Sequence, residues 1–294
     1  MGLRADPTYR QRRFGAEVRK LRERAGLSVG ESAEVMGMHQ SHISNVETGR
    51  TSLSPERLRR LARRVEGVPP AYVDALVALG RHHGKGWWST YRSRLAPSRL
   101  DIAELESKAA RLTTYEPTFI PVLLQTRAYT AANFRGGYSG ATRAEREVDI
   151  EFRMRRQRLL EDGTIGHFHA IVHEAALHMT FGSRAIMREQ LLRLIEASKL
   201  PNVTIQIVPF DGPVPFGTSF VVIEPEVAEL GTVVVPHLEK SLYLGDCGSL
   251  ARYNGWFAGL SEVALAPVDV GQRPEGRPAK DSLGLVQRIL YPML

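Results

Sequence analysis

The chain has 294 residues, of which 43% are apolar and 24% charged, and its formal net charge is +7. This apolar fraction is typical of a globular protein with a hydrophobic core and excludes a chain dominated by disorder. No window reaches the roughly 18 uninterrupted apolar residues of a membrane span, and no apolar run follows the basic start MGLRADPTYRQRR, so we expect a cytoplasmic protein with no membrane contact. The single cysteine, Cys247, excludes an internal disulfide and cannot by itself form a zinc site.

The positive charge is concentrated at one end of the chain. Residues 1–70 carry 14 Lys and Arg against 8 Asp and Glu, whereas residues 71–294 carry 25 against 24. A basic module joined to a neutral one indicates a part that binds a polyanion and a separate body. The alternative is that the arginines of residues 10–24 form a solvated helix face.

Apolar spacing and cap residues predict five short helices in the first 80 residues. The first places Phe14, Val18 and Leu21 on one face, and the second begins with a capping box from Ser28 to Glu31. The third is expected to bury Ile43 and Val46, to be capped from His39, and to expose its opposite face. The predicted spans are about 10–25, 28–37, 40–47, 54–65 and 69–80.

The segment LRERAGLSVGESAEVMGMHQSHISNVETGRTSLS resembles the XRE family of helix-turn-helix regulators, which are related to phage repressors. The resemblance implies a lambda-repressor-like all-α domain of five helices, double-stranded DNA as partner and a homodimer that binds two half-sites. It implies that the third helix reads bases through Gln40, Ser41, Ser44 and Asn45. Phosphate contacts are expected from Arg50, Arg57 and Arg60.

Several positions depart from the family pattern. Val29 replaces a glutamine that contacts the DNA backbone, Gly30 follows it, Ser32 occupies a position that is usually leucine, and His42 stands where basic residues are common. Lost phosphate contacts lower affinity for all sequences alike. Two hypotheses therefore stay open for residues 1–80, which we call the head. In one the head binds DNA, and in the other its DNA-binding face has lost the contacts needed for binding.

The rest of the chain predicts an α+β domain with a mainly antiparallel sheet. Helices are expected at 101–112, 126–133, 142–161 and within SRAIMREQLLRLIEASKL and LARYNGWFAGLSEVAL. Strands are expected in HFHAIVH, NVTIQIVPF, TSFVVIEP and TVVVPHLEKSLYL, and YEPTFIPVLLQT is expected to be extended or a turn.

The motifs GWWSTY, YEPTFIPVLLQT, HEAAL, MREQLLRLIE, PNVTIQIVPF and SLYL resemble DUF5753, the domain that follows XRE modules in antitoxin-like regulators. The resemblance covers about residues 84–290 and implies a small partner protein of the DUF397 type. Val122 departs from it, because a glycine follows the proline in the family. The predicted organisation is a DNA-binding domain at 1–80, a joint at 81–98 and a sensor domain at 99–294.

We considered three chemistries for the second domain. Zinc binding by His167, His169 and His173 is unfavourable, because two residues six apart on a strand lie about 20 Å from each other. We therefore expect no metal and no cofactor. Acid–base catalysis, such as a cyclisation or isomerisation of a small metabolite, is the alternative function, with the candidates Glu174, His173, Glu116 and Tyr115.

The favoured hypothesis is a pocket that binds an unidentified small-molecule effector. Its candidate residues are aromatic side chains with a few polar groups, as is usual in such pockets. They are Trp87, Trp88, Tyr115, Glu116, Phe119, Gln125, Tyr129, Glu174, Phe216 and Tyr243. The alternative is that most of these aromatic residues are ordinary core or dimer contacts.

Overall fold

A computed structural model describes residues 6–294 except 82–83, 137–140, 213–217, 238–239, 274–275 and 277. The chain forms two compact units, Met1–Arg92 with Ala96–Ile102 and Ser93–Leu95 with Ala103–Leu294. Among the described residues, no helix combines the length and the apolarity needed to cross a bilayer.

The first unit contains the five predicted helices. They are α1 (Tyr9–Arg24), α2 (Val29–Met36), α3 (Gln40–Glu47), α4 (Pro55–Ala62) and α5 (Pro70–Arg81). Thr8 and Ser28 begin α1 and α2 with capping boxes, and the Ser54 side chain accepts the Arg57 N–H at the start of α4. His39 is the N-cap residue of α3 as predicted, although its imidazole makes no capping hydrogen bond.

Helix α1 packs closely against the C-terminal end of α3. A Cβ at Gly15 of α1 would lie 2.5 Å from the carbonyl oxygen of Glu47 and closer still to that of Val46. Gly49, which follows α3, has φ +77°, and a Cβ at this position would lie 2.7 Å from the carbonyl carbon of Gln11. Only glycine meets both the positive φ and the close approach at position 49.

The second unit is built on a six-stranded mixed sheet in the order β3-β2-β1-β4-β5-β6. The strands are β1 (Arg111–Glu116), β2 (His167–His173), β3 (Val203–Val208), β4 (Phe220–Glu224), β5 (Thr232–Val235) and β6 (Leu242–Leu244). The prediction of a mainly antiparallel sheet is confirmed only in part, because the sheet is mixed. The pairings β1–β4, β4–β5 and β5–β6 are antiparallel, whereas β1–β2 and β2–β3 are parallel.

The helices after α5 are α6 (Pro97–Glu106), α7 (Arg127–Gly136), α8 (Arg143–Glu161), α9 (Glu174–His178), α10 (Arg184–Ala197), α11 (Cys247–Val263) and α12 (Ser282–Leu290). The helix predicted at 101–112 ends at Glu106, and its last residues belong to β1. Leu112 to Tyr115 are all buried, so this strand lacks the polar–apolar alternation by which a half-exposed strand is predicted. The sequence analysis also missed α12.

Helix α11 covers one face of the sheet. Its Leu250, Phe257 and Leu260 form a buried cluster with strand residues that include Tyr115 and Phe220. The outer strand β3 is covered along its free side by the segment that follows α11. Leu265 N–H donates to Ile207 O (2.9 Å), and Val268 N–H donates to Ile205 O (2.8 Å). That edge of the sheet is therefore closed to further strand pairing.

The contact between α1 and α3 leads to a first prediction. Gly15→Ala should destabilise the first unit, because overpacking costs about 1–3 kcal/mol and exceeds the roughly 1 kcal/mol that alanine gains over glycine in a helix. The matched control is Gly30→Ala in α2, where a Cβ would have only the Ser28 hydroxyl nearby, at 3.9 Å. Calorimetric unfolding should show a lower Tm for Gly15→Ala and an equal or higher Tm for Gly30→Ala. Equal stabilisation by both changes would contradict the close packing.

Candidate functional site

The outer face of α3 is polar and carries no fixed charge. Gln40, Ser41 and Ser44 are exposed and Asn45 is half-buried, whereas Ile43 and Val46, on the inner face, are fully buried. The structure thus brings the four predicted base-reading residues onto one helix surface. Side chains of this kind recognise base edges by hydrogen bonds.

A charged pair fixes α3 on α1. Arg22 of α1 donates from Nε to Glu47 Oε1 (2.6 Å) and from Nη2 to Glu47 Oε2 (3.1 Å), and its Nη1 donates to Leu27 O (3.0 Å). The hydrogen bond to Glu47 raises the pKa of Arg22 above its ordinary value. Glu47 is thereby neutralised, so α3 does not present an unpaired carboxylate close to its outer face.

The three predicted phosphate-binding arginines differ in their contacts. Arg50 is exposed in the loop after α3, and it lines a groove of about 700 Å³ together with His42 and Asn45. Arg60 is exposed on α4. Arg57 instead donates to Met36 O (3.2 Å) and Gly37 O (3.3 Å), so part of its guanidinium satisfies the last carbonyl groups of α2.

Much of the positive charge on α1 is used inside the first unit. Arg13 pairs with the buried Glu17, Arg19 pairs with Glu23 (2.7 Å), and Arg10 donates to Leu79 O (2.9 Å). Glu17 also accepts the Tyr72 hydroxyl of α5. Arg13 and Arg22 are therefore buried in pairs with carboxylates, whereas Arg12, Arg19 and Arg24 are exposed to solvent.

The family departures on α2 are accommodated without an orphaned polar group. Ser32 is fully buried, and its hydroxyl donates to Val29 O (2.9 Å) one turn earlier in the helix. Val29 and Gly30 are half-buried. Helix α2 therefore forms and packs with these residues in place.

In the second unit, the carboxyl ends of β1, β2 and β3 meet at one border of the sheet, which we call the carboxyl edge (residues 115–117, 173–174 and 208–210). It contains all four candidates for acid–base chemistry. Tyr115 and Glu116 are consecutive on β1 and therefore point to opposite faces. They do not form one constellation with each other.

The histidine and the carboxylate at the end of β2 make structural contacts. His173 Nδ1 accepts the Ala175 N–H (3.1 Å) and so caps α9, and burial lowers the pKa of His173. Glu174 Oε2 accepts the Phe210 N–H (2.8 Å), while its Oε1 lies 3.3 Å from His178 Nε2. Next to Glu174 is a cleft of about 290 Å³, which is also lined by Phe210, Lys280 and Arg288.

Glu116 is the most perturbed carboxyl group at this edge. The side chain keeps some exposure, but the surrounding protein raises its pKa to about 8 through desolvation. Burial also raises the pKa of Tyr115 to about 12, and the buried Tyr115 hydroxyl has no hydrogen-bond partner among the described residues. Sequence analysis singled out both residues, but the desolvation depends on the tertiary fold.

Gln125 belongs to a network that holds the PVLLQT segment. Its Nε2 donates to Ile120 O (2.7 Å), and Gln157 of α8 donates to Gln125 O (2.6 Å). Gln190 of α10 donates to Leu124 O (2.8 Å) and accepts the Thr126 N–H (2.7 Å). These contacts give Gln125 a structural role. Sequence analysis did not identify Gln157 and Gln190, because they belong to helices far from this segment in the chain.

Among the other proposed ligand-binding residues, Phe119 and Tyr129 lie close together, because both rings contact Phe181. Trp87 and Trp88 lie in the first unit, where their rings are in edge contact (6.1 Å between centroids). In the second unit, the Tyr129 hydroxyl accepts the Ile120 N–H (3.2 Å) and the exposed Phe119 stacks on Phe181. Tyr243 is half-buried on the outer strand β6. Phe216 lies outside the described residues.

The histidines of β2 are engaged with neighbouring side chains. His169 Nε2 lies 2.7 Å from Gln206 Oε1, and its ring meets Phe257 edge-on. The His167 and His169 rings are 6.2 Å apart. In the part of the chain that the structure describes, no group of three His, Cys, Asp or Glu residues is arranged to hold a metal ion.

Comparisons with known families assign both modules. A model described as a domain of unknown function, DUF5753, matches residues 100–270. The chain belongs to the DUF5753 family. A second model, described as a helix-turn-helix domain, matches residues 13–76, so the recognition of both modules from sequence is confirmed. No curated protein and no solved structure matches the chain.

The raised pKa of Glu116 leads to a second prediction. An unfolded glutamate ionises near pH 4.3, whereas folded Glu116 ionises near pH 8. The unfolded state therefore holds fewer protons between these values, and the contribution of Glu116 to stability is lost as the pH rises through this window. Glu116→Gln should match the wild-type Tm near pH 4.5 and exceed it increasingly up to pH 8. A difference in Tm that does not change with pH would contradict the assignment.

Proposed function

We propose that this protein is a sequence-specific DNA-binding transcriptional regulator. The helix-turn-helix match implies DNA binding, and the uncharged polar face of α3 is the observation that supports sequence recognition. This face is suited to hydrogen bonds with base edges in the major groove. At Val29 and Gly30 of α2, this chain lacks phosphate contacts that the family makes. Their loss lowers the affinity for DNA but not the selectivity between sequences.

The proposed roles follow from position and exposure. Gln40, Ser41 and Ser44 contact base edges from the first turns of α3, and the half-buried Asn45 contacts a base or the adjacent phosphate. Arg50 binds phosphate from the loop after α3. Arg60 and the remaining donors of Arg57 form secondary phosphate contacts, since Arg57 is already bonded to two carbonyl oxygens.

We propose that the regulator acts as a homodimer. One head presents only four side chains to the bases, which provides too few contacts for a unique site. Two heads on half-sites about one helical turn apart double the number of contacts.

We further propose that the DUF5753 domain binds an effector, either a small molecule or a small partner protein of the DUF397 type. The cleft beside Glu174 supports this proposal because it combines an exposed aromatic ring, Phe210, with the guanidinium group of Arg288 and the Lys280–Asp211 ion pair (2.7 Å). Parallel strands commonly end at ligand sites of this kind. Acid–base catalysis is less well supported, since His173 and Glu174 are engaged in capping and backbone contacts.

Two substitutions separate base recognition from phosphate binding. Gln40→Ala should cost about 1–3 kcal/mol on a duplex enriched by in vitro selection and leave binding to a scrambled duplex unchanged. Arg50→Ala should weaken both complexes alike and reduce the slope of log K against log salt by about 0.9. Anisotropy titrations of the full chain measure both quantities.

The matched control for Arg50→Ala is Arg59→Ala. Arg59 is also exposed, but it pairs with Asp74 of α5 (2.8 Å), so its loss removes the same charge without removing a contact to DNA. Equal losses on selected and scrambled DNA for both Gln40→Ala and Arg50→Ala would show that the roles are wrongly assigned.

A further inference from the structure

The titratable side chains on the outer side of α3 are two histidines. His39 precedes the first residue of the helix and His42 lies one turn later, and both are exposed. Their rings meet edge-on with centroids 6.2 Å apart. Since α3 has no lysine or arginine, these imidazoles are the groups through which the helix itself can acquire positive charge.

Neither imidazole is used by the fold. His39 occupies an N-cap position without a side-chain hydrogen bond, whereas the N-cap side chains of α1, α2 and α4 all accept a backbone N–H. Within the described residues, no hydrogen bond or ion pair involves either ring. The two side chains are therefore available to an external anion.

The helices around these rings carry charged groups of both signs, with an excess of basic ones. On α1, Arg22 is neutralised by Glu47 of α3 itself. The groove that contains His42 also contains Arg50 and Asp6. Helix α2 contributes two carboxylates, of which Glu31 accepts the Ser28 N–H. The charged groups of α1, α2 and α4, apart from Arg22, are Arg10, Arg12, Arg13, Glu17, Arg19, Lys20, Glu23, Arg24, Glu31, Glu34, Glu56, Arg57, Arg59 and Arg60.

We propose that His39 and His42 bind DNA phosphates as imidazolium groups, so that DNA binding takes up protons and tightens as the pH falls. This inference rests on the proposed DNA-binding function. Imidazole changes its charge between pH 5 and 8, and phosphate groups stabilise the charged form. The departure from the family at His42 then replaces a permanent charge with one that depends on pH.

The salt dependence gives the size of the effect. Each additional phosphate contact steepens the slope of log K against log salt by about 0.9. Relative to its effect at 1 M salt, such a contact strengthens binding at 0.1 M salt by roughly eightfold. Two imidazolium contacts should therefore steepen the slope by up to about 1.8 and tighten binding by roughly 10- to 60-fold between pH 8.0 and pH 5.5.

The test uses the full chain and a random-sequence 20-bp duplex, because phosphate binding needs no particular sequence. Anisotropy titrations at pH 5.5 and 8.0 are repeated across a salt series for the wild type, for the double variant His39→Gln/His42→Gln, and for His42→Arg. The control is His237→Gln, an exposed histidine of the second unit. The slope should change with pH in the wild type and the control, and stay nearly constant in the double variant.

The variant His42→Arg keeps a charge at both pH values and should bind more tightly than the wild type at pH 8.0. A wild-type slope that is equal at both pH values, or a double variant that keeps the full pH dependence, overturns the inference while the DNA-binding function stands. Absence of binding to this duplex and to the selected duplex at both pH values would instead overturn the proposed function.

Discussion

The seating of α3 on α1 is the constraint on which the DNA-binding head depends. The bidentate Arg22–Glu47 pair sets the direction of α3, and Gly15 lets the two helices approach until their backbones are in contact. Removing one partner of a largely buried pair leaves the other charge uncompensated, which typically costs about 3–5 kcal/mol. The same pair neutralises Glu47, the acidic residue of α3. The exposed polar groups of the helix are therefore amides, hydroxyls and imidazoles.

The basic excess of the first 70 residues lies on arginines outside the ion pairs of α1. The 14 basic residues exceed the 8 acidic ones by 6, and the pairing of Arg13, Arg19 and Arg22 with carboxylates leaves this excess unchanged. Arg50 places one fixed positive charge in the loop after α3. In the function proposed above, hydrogen bonds from the uncharged face of α3 provide selectivity, and phosphate contacts from arginines provide affinity.

The sequence was informative where structure is local. Helix caps such as Ser28 with Glu31, and the apolar spacing of Ile43 and Val46, predicted α1 to α5 and the outer face of α3 because these signals lie within a few residues of each other. In contrast, β1 was missed because Leu112 to Tyr115 are buried on both faces, and the parallel pairing of β1 with β2 joins residues far apart in the chain.

The candidate sites follow the same division. The residues proposed to read bases lie on one helix, and their shared exposed face could be predicted from its sequence, whereas the contacts of Gln157 and Gln190 with the PVLLQT segment join residues more than 30 positions apart. Desolvation of Glu116 likewise requires the assembled sheet and helices. At the carboxyl edge, the four candidates named from the sequence lie at the ends of neighbouring strands, but consecutive residues on β1 face opposite sides, which could not be predicted while β1 was missed.

The most direct test of the central claim is a selection of duplexes from a random library by the full chain, followed by titration of the enriched and a scrambled duplex across a salt series. The account predicts enrichment of an inverted repeat with half-sites about one helical turn apart, bound about a thousandfold or more tightly than the scrambled duplex, with both affinities falling as salt increases. No enriched sequence, and equal affinity for the two duplexes at low salt, would contradict it.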